Sequence, residues 1–504
     1  MGLGNPMPEC IIKAMAVLPT VGRERALGTF LLDSPITGEE VSNAIVELRA
    51  GKSPGICGIT VDEIKAVSHL LCDALAVEYT RYLMAPEDIP SEYNTSKCIT
   101  KYKKGSSDDP KNYRTIFLID TFGEVFAKVL LSRFQKSCDT NLHPLQFGFR
   151  KGRSTQCAIL LTNRLILQFK KEKRTLLGAA IDLSKAFDTM SKEAIFEAID
   201  ALDLSTAVKS CLKKLNSENV CIHEGERIKL TRGTRQGCVL GPTIFNIVLD
   251  GCLKKWEEKT ETSKTVSLKL DNNQNFSIPF IAYADDVMLF SESPEDLEHR
   301  VRTLTSELDK VGLSVNRDKT QMTVLVAKQG VESPNFANHI EYLGNVIAKD
   351  GARLMTVKHN KGKARQKITM IRPTLQNPKL SNYIKGNMIN AFVNSTLYYG
   401  MAAHNLTQCQ VESLNSVTMD AKRIVMGKTR LDKVTNEVLN RTVPSMAYKE
   451  SLLRQKEKRP VLKLLSYGSK MRSVSRYIQN SKCTMPAHDT KPQGTTQSRQ
   501  PDLL

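Results

Sequence analysis

Three aspartates in this chain sit where apolar runs give way. The run Leu176 to Ile181 in LLGAAIDLSKAFD reads as a buried strand and stops at Asp182, after which Leu183, Ser184 and Lys185 lead toward a helix. Further on, FIAYADDVMLF sets Ala284-Asp285-Asp286 between two apolar runs, which reads as strand, tight turn, strand with two carboxylates at a hairpin tip. A carboxylate at the end of a buried strand is held rigidly and can face a cleft, as a ligand of a divalent cation must. A helix N-cap accounts equally well for a lone Asp, and turn-forming aspartates account for most isolated Asp-Asp pairs. Here, however, type I′ turns favour Asn-Gly or Asp-Gly, and two adjacent like charges repel unless a cation neutralises them. Mg²⁺ would do so, because its hard octahedral shell takes one or two carboxylates plus phosphate oxygens. Two such ions about 3.5 to 4 Å apart promote displacement at phosphorus. Successive strand side chains alternate in direction, so the adjacent pair is not equivalent and Asp285 is expected to ligate more directly than Asp286.

These groups need a scaffold. At about 150 residues per domain, 504 residues suggest about three domains. Hydrophobic residues at 41% and charged residues at 25% exclude a chain disordered from end to end. Thr37 and Glu40 stand at capping-box spacing before Val41, Ile45 and Leu48, which predicts an amphipathic helix. Gly51-Lys52-Ser53-Pro54-Gly55 ends it, and residues 61–82 read as helix again. From Lys97, KCITKYKKGSSDDPKNYRTIFLI reads as a short strand, a basic turn and a return to apolar sequence, a candidate phosphate-facing hairpin.

No stretch reaches about 18 uninterrupted apolar residues, so no membrane-spanning helix is expected. MGLGNPMPEC lacks the basic flank and apolar centre of a secretory signal, and Pro6 stands where a myristoylation motif has Ser or Thr. An intracellular protein with no membrane partner is expected. The 12 Cys include no CxxC pair and no zinc-knuckle pattern with His, which predicts scattered buried thiols.

The net charge is +19, and it is localised. Residues 1–350 hold 45 Lys+Arg and 45 Asp+Glu, whereas 351–482 hold 25 and 6. A merely soluble face would intersperse acids with its bases, so this segment is expected to meet a polyanion. It contains KHNKGKARQKITMIRPTL (358–375), helix-like in spacing up to Pro373, and LLRQKEKRPVLKLL (452–465). The tail from 483 is polar with Pro and Gly and reads as disordered.

FIAYADD resembles the Tyr-x-Asp-Asp box of reverse transcriptases, and AAIDLSKAFDTM resembles their preceding acidic box. TRGTRQGCVLGPTIFNIVL (231–249) and HPLQFGFRKGRSTQCAIL (143–160) are similar to non-LTR, or LINE-type, retrotransposon polymerases in particular. NYRTIFLI from Asn112, GLSVNRDKT from Gly312, EYLGNVIAKDG from Glu341 and the upstream LRAGKSPGICGIT extend the likeness, in family order, over residues 36–352. The resemblance implies an α+β right-hand polymerase with fingers, an antiparallel-sheet palm and a helical thumb. Its expected divisions are a leader at 1–35, a helical extension and fingers at 36–175, a palm at 176–352, a basic helical thumb region at 353–482 and a tail at 483–504. The implied activity is RNA-directed DNA synthesis on an RNA template from a DNA primer or target end, with dNTPs as substrates.

By the same resemblance, Asp182, Asp285 and Asp286 hold two Mg²⁺, with Mn²⁺ as a substitute. Phe187 matches an aromatic gate against the 2′-OH, with a buried core Phe as the alternative. Arg114 and Lys104 would grip the triphosphate, and Gln236 would pack on the incoming nucleotide, with Gly237 allowing close approach of nucleic acid. Lys319 would protonate pyrophosphate or pair with Asp318 or another acid. Arg150, Lys151 and Arg153 are expected on the template strand or the triphosphate, and Lys361, Lys363 and Arg365 on the template-primer duplex. The chain departs from the family at Thr115, where RPI is usual, and at Cys238-Val239-Leu240-Gly241-Pro242, where CPLSP is common. With no nuclease domain recognisable, a polymerase fragment, a truncated copy or a domesticated descendant is expected, resident in the nucleus by family. The alternatives are a catalytically silent nucleic-acid-binding remnant and a group II intron-type reverse transcriptase.

Overall fold

The computed structural model describes residues 33–103, 105–261, 266–269, 275–327, 336–348, 352–404 and 406–445. Lys104, the basic run 452–465, the tail and most of the leader lie outside them. The fold is α+β.

The expected capping box opens α1 (Gly38–Glu47): Glu40 N–H donates to Thr37 Oγ1 at 3.2 Å and Thr37 N–H to Glu40 Oε2 at 3.0 Å. Thr60 and Glu63 repeat the device at α2 (Val61–Ala66). The helix expected over 61–82 is two helices, because Val67 leaves helical geometry at φ −113° and ψ 13° before α3 (Ser68–Met84). Ser68 reinforces the break by donating its hydroxyl to Lys65 O at 3.0 Å, a local bond that competes with a continuous ladder.

The basic hairpin forms as expected. Strands β1 (Thr95–Tyr102) and β2 (Tyr113–Ile119) pair antiparallel with Lys101 opposite Arg114. Beyond it come α4 (Thr121–Asn141), capped by Asp120, and α5 (Thr155–Glu172). The hairpin joins a larger sheet in the order β2-β1-β4-β5, with β4 at Val220–His223 and β5 at Glu226–Lys229.

A second, wholly antiparallel sheet is centred on β3 (Leu176–Ser184). The small hairpin β6 (Ser267–Lys269) and β7 (Asn275–Ser277) precedes its partners β8 (Phe280–Tyr283) and β9 (Asp286–Ser291). β9 lies between β3 and β8, β10 (Ser314–Val315) pairs with the end of β3, and β11 (Gln321–Val326) flanks its other edge. β3 therefore continues past Asp182 to Ser184, because β10 supplies partners to Leu183 and Ser184. Ile181 and Leu183 are buried while Asp182 and Ser184 are not, so alternation along the strand sets the aspartate on the open face. Asp182 is a strand residue and not a helix N-cap, the position that Lys185 takes.

Helices α6 (Ala186–Thr189), α7 (Lys192–Asp200) and α8 (Thr206–Ser217) follow β3, and α9 (Gly241–Thr260) and α10 (Pro294–Lys310) pack together. Their shared core includes Trp256, fully buried, whose indole N–H donates to Arg300 O at 2.9 Å. After β12 (His339–Tyr342) and β13 (Asn345–Ala348), the chain enters the long α11 (Ala352–Gln376). This C-terminal part has its own apolar cluster, in which Ile368, Ile371 and Leu375 of α11 meet Leu414 and Val417. That burial carries the helix beyond Pro373 to Gln376. Pro373 has no N–H to donate to Thr369 O, a loss that the packing of this last turn offsets.

The ten described cysteines are free, and five of them are buried, in line with thiols used for packing. Among the described residues no helix is long and apolar enough to cross a membrane.

Candidate active site

Register brings the acids together. Asp182 is the Cα partner of Asp286 across β3 and β9, and Tyr283 partners Asp286 across the two-residue turn Ala284-Asp285. Ala284 takes φ +55°, the positive angle that a tight hairpin demands at its first central position and that glycine usually supplies. Asp182 and Asp285 line a cleft of about 1370 Å³, whereas Asp286 is not part of the lining.

The carboxylates are uncomfortable together. Loss of hydration raises Asp285 above the ordinary range, Asp182 adds to the rise and Arg114 opposes it. Asp286 is pushed up to about 6 by the same withdrawal from water, then by Asp285 and Asp182. Among the described residues no three His, Cys, Asp or Glu side chains converge as a ready-made metal cage. Mg²⁺ requires less than a cage, since water and phosphate oxygens complete its shell. Hard oxygen donors that destabilise one another's charge fit such an ion. Lys319 Nζ lies 3.2 Å from Asp182 Oδ2, so of the two roles expected for this lysine the ion pair is formed, with Asp182 rather than Asp318. Both side chains are open to solvent, which makes the pair a weak one.

Two cations of the cleft come from the β1–β2 hairpin, while Lys185, Arg235 and Lys319 line it from other elements. Arg114 lines it from β2, and Lys103 lines it from the turn after β1. Lys103 was not singled out in the sequence, although it lies two residues beyond Lys101 in the same basic turn.

Phe187 lines the cleft half-buried, its ring 4.8 Å from that of Phe245 and edge-on to Phe149 at 6.1 Å. It is neither a fully buried core residue nor a loose one: its inner side packs and its outer side faces the cavity. Gln236 also lines the cleft and donates from Nε2 to Asp188 Oδ1 at 2.9 Å. Burial raises Asp188, with the bond from Gln236 pulling the other way. Asp188 is a cleft residue that sequence reasoning passed over, and its signal was the final acid of the AFD box. Gly237 lines the cleft too, yet the reason for a glycine there requires correction. It takes φ +124°, and a Cβ there would stand 2.7 Å from Phe117 O, so the close approach it permits is to the protein's own β2. Phe117 N–H donates to Gln236 O at 3.0 Å in the same contact.

Arg150 and Arg153 also require correction, because their guanidinium groups are turned into the protein. Arg150 is 8% exposed and donates to His143 O at 2.9 Å, to Gln146 O at 3.0 Å and to Asp139 O. Arg153 donates to Pro144 O and to Gln146 O at 3.1 Å and lies over the Phe147 ring. Only Lys151 of the three is exposed. On α11, Lys361 donates to Ser413 Oγ at 2.6 Å and Lys363 pairs with Glu341 at 3.0 Å, while Arg365 is exposed.

Two outcomes are expected. Arg150→Ala strips a buried cation from its carbonyls and should lower the free energy of unfolding by about 3 kcal/mol. The salt dependence of nucleic-acid binding should not change, and a reduced salt slope would return Arg150 to the interface. Asp286, raised from an ordinary 3.8 to about 6, retains its proton in the folded chain where the unfolded chain has lost it. The resulting loss of stability is absent below the lower value and complete above the upper one, and a bound cation offsets it. Stabilisation by Mg²⁺ in thermal melts should therefore grow as pH rises through about 6, and equal Mg²⁺ shifts on both sides of that pH would contradict the assignment.

Residues 101–347 match the family model described as reverse transcriptase (RNA-dependent DNA polymerase). The chain is 24% identical over 331 residues to a "Retrovirus-related Pol polyprotein from type-1 retrotransposable element R2" of Popillia japonica, covering 64% of this chain and 44% of that protein. It is 24% identical over 303 residues to the "Probable RNA-directed DNA polymerase from transposon BS" of Drosophila melanogaster, covering 57% and 32%. It is 25% identical over 221 residues to the "RNA-directed DNA polymerase from mobile element jockey" of the same fly, covering 42% and 24%. The chain thus spans less than half the length of these curated relatives. Reverse transcriptases generally use divalent metal ions, in keeping with the carboxylate set. The matched domain and these relatives support a likeness to the reverse transcriptases of non-LTR retrotransposons.

Proposed function

We propose that this chain is an RNA-directed DNA polymerase that extends a DNA 3′-OH on an RNA template by two-metal nucleotidyl transfer. The observation that carries the reading is the cleft itself, with Asp182 and Asp285 among its lining residues together with Lys103, Arg114 and Lys319. Acids and cations around one cavity suit a triphosphate and the hydroxyl that attacks it. In this reading residues 36–175 form the helical extension and fingers, 176–352 the palm and 353–482 the thumb region of a right hand.

Two Mg²⁺, held by Asp182, Asp285 and Asp286, would supply the activation of the primer hydroxyl and the neutralisation of the triphosphate. The protein's own groups do the rest. Arg114 turns its forked donors on phosphate oxygens, and Lys103 adds a point charge beside it. Lys319, released from Asp182, directs its proton toward the departing pyrophosphate. Phe187, wedged against Phe245, leaves no room at C2′ for a hydroxyl, which selects dNTPs over rNTPs. Gln236, oriented by Asp188, supports the incoming nucleotide. The template-primer duplex runs along α11, where Lys358, Arg365, Lys367 and Arg372 are exposed and no acid interrupts the helix. Access to a DNA target end calls for residence in the nucleus.

Primer extension on an RNA template with Mg²⁺ tests the reading. Wild type should incorporate dNTPs, and Asp182→Asn or Asp285→Asn should lower the rate by roughly a thousandfold or more. Absence of dNTP product, or product undiminished in both variants, would sink it. Phe187→Ala should relax discrimination against rNTPs by roughly 10- to 100-fold, and unchanged discrimination would make Phe187 a packing residue only.

A further inference from the structure

We propose that Gln146 is a positioning residue for Asp285: its side-chain carbonyl fixes the Ala284-Asp285 turn in the backbone conformation that presents the carboxylate to metal. The inference rests on the polymerase reading above and adds a group that touches neither substrate nor metal.

Ala284 holds φ +55°, which an L side chain rarely adopts and which persists only where the surroundings over-determine it. Here they do. Residues 145–147 run alongside β8: Ala282 N–H donates to Leu145 O at 3.0 Å and Phe147 N–H to Ala282 O at 2.7 Å. Gln146 is bridged to Ala282 in parallel sense, so its side chain reaches beyond the end of β8 to the turn. There Gln146 Oε1 accepts from Ala284 N–H at 3.0 Å and from Gly148 N–H at 2.8 Å. Gly148 lets the two segments meet backbone to backbone, since a Cβ on it would stand 2.2 Å from Ala284 N.

The amide pays a cost for this arrangement. Gln146 is fully buried, and with both donors directed at Oε1 its Nε2 has no hydrogen-bond partner among the described residues. Buried amide donors are rarely left so, and an apolar side chain of the same volume would avoid the loss. What only the amide supplies is an acceptor for two main-chain donors at the tip of the catalytic hairpin. The clamp is itself held from behind, because Arg150 and Arg153 both donate to Gln146 O, at 3.0 and 3.1 Å. This is the use that the two inward-turned arginines have found in place of nucleic acid. A turn held on its inner side by Oε1 leaves Asp285 on the outer side, facing the cleft.

The test measures Mn²⁺ binding to the full chain by electron paramagnetic resonance, without nucleotide or nucleic acid. Gln146→Met keeps the length and removes the acceptor, so its Kd for Mn²⁺ should rise about tenfold while the protein stays folded. Gln146→Glu keeps the acceptor and should bind Mn²⁺ at least as tightly as wild type. A folded Gln146→Met with Kd within about twofold of wild type, or an equal loss in both variants, overturns the proposal. Asp285→Asn is the control that separates the two ideas: if it leaves Mn²⁺ binding unchanged, the metal-site reading fails rather than the clamp. Should Gln146→Met not fold, hydrogen exchange in wild type decides. The Ala284 amide should be strongly protected although it sits at a hairpin tip beside an open cleft, and exchange at the unprotected rate overturns the clamp.

Discussion

Cross-strand pairing of Asp182 with Asp286, with Asp285 one residue before it at the turn, is the constraint on which the rest of the molecule depends. Like charges opposite each other in a sheet are destabilising, and Asp286, though still open at the surface, is pushed up to about 6 by partial loss of hydration and then by Asp285 and Asp182. Hydrophobic packing beneath offsets the cost of the arrangement. Ile181, Leu183, Val287 and Met288 are buried around the acids, and Ala284 is locked at a positive φ by the neighbouring Leu145–Gly148 segment. A sheet free to relax would slip or twist its aspartates apart. This one cannot, because a one-residue slip of β3 would turn Asp182 into the core and Ile181 out of it.

Around that constraint the charge is divided. Residues 1–350 are neutral in sum, yet the cleft within them concentrates acids and the cations Lys103, Arg114 and Lys319 about one cavity. The excess of positive charge lies further on, in the segment that begins with α11, which packs about an apolar cluster of its own. In the proposed function, chemistry and the grip on a polyanion would be carried by different parts of the chain, so that salt would weaken the second without touching the first.

How much of this could be read from the sequence follows from how local each signal is. The Thr37–Glu40 cap and the basic hairpin are written within a few residues, in spacing and in abrupt changes of polarity, and both form as read; Asp285 stands in the hairpin turn, whereas Asp182 lies inside β3 rather than at its end, because β10 pairs beyond it. The break at Val67 and the continuation through Pro373 were missed because a competing side-chain bond in one case and tertiary burial in the other override local propensity. Arg150, Arg153, Lys361 and Lys363 look alike in a sequence, as cations in basic stretches. Whether each faces solvent, a carbonyl, a hydroxyl or Glu341 is settled by contacts with residues distant in the chain. Asp188 carried a signal in the AFD box but not its role, and Gln146 carried none, since their meaning lies in Gln236 and Ala284, which the fold brings from far along the chain.

The central claim is that a divalent cation resolves the repulsion at the Asp182–Asp286 pairing. Replacement of Mg²⁺ by Fe²⁺, followed by peroxide and ascorbate, generates hydroxyl radicals that cut the backbone beside the bound ion, and the cut sites can be read by mass spectrometry. The account expects cleavage at the end of β3 around Asp182 and at the Ala284–Asp286 turn, suppressed by excess Mg²⁺. Cuts confined to other parts of the chain, or cuts at these strands that Mg²⁺ does not suppress, would contradict it.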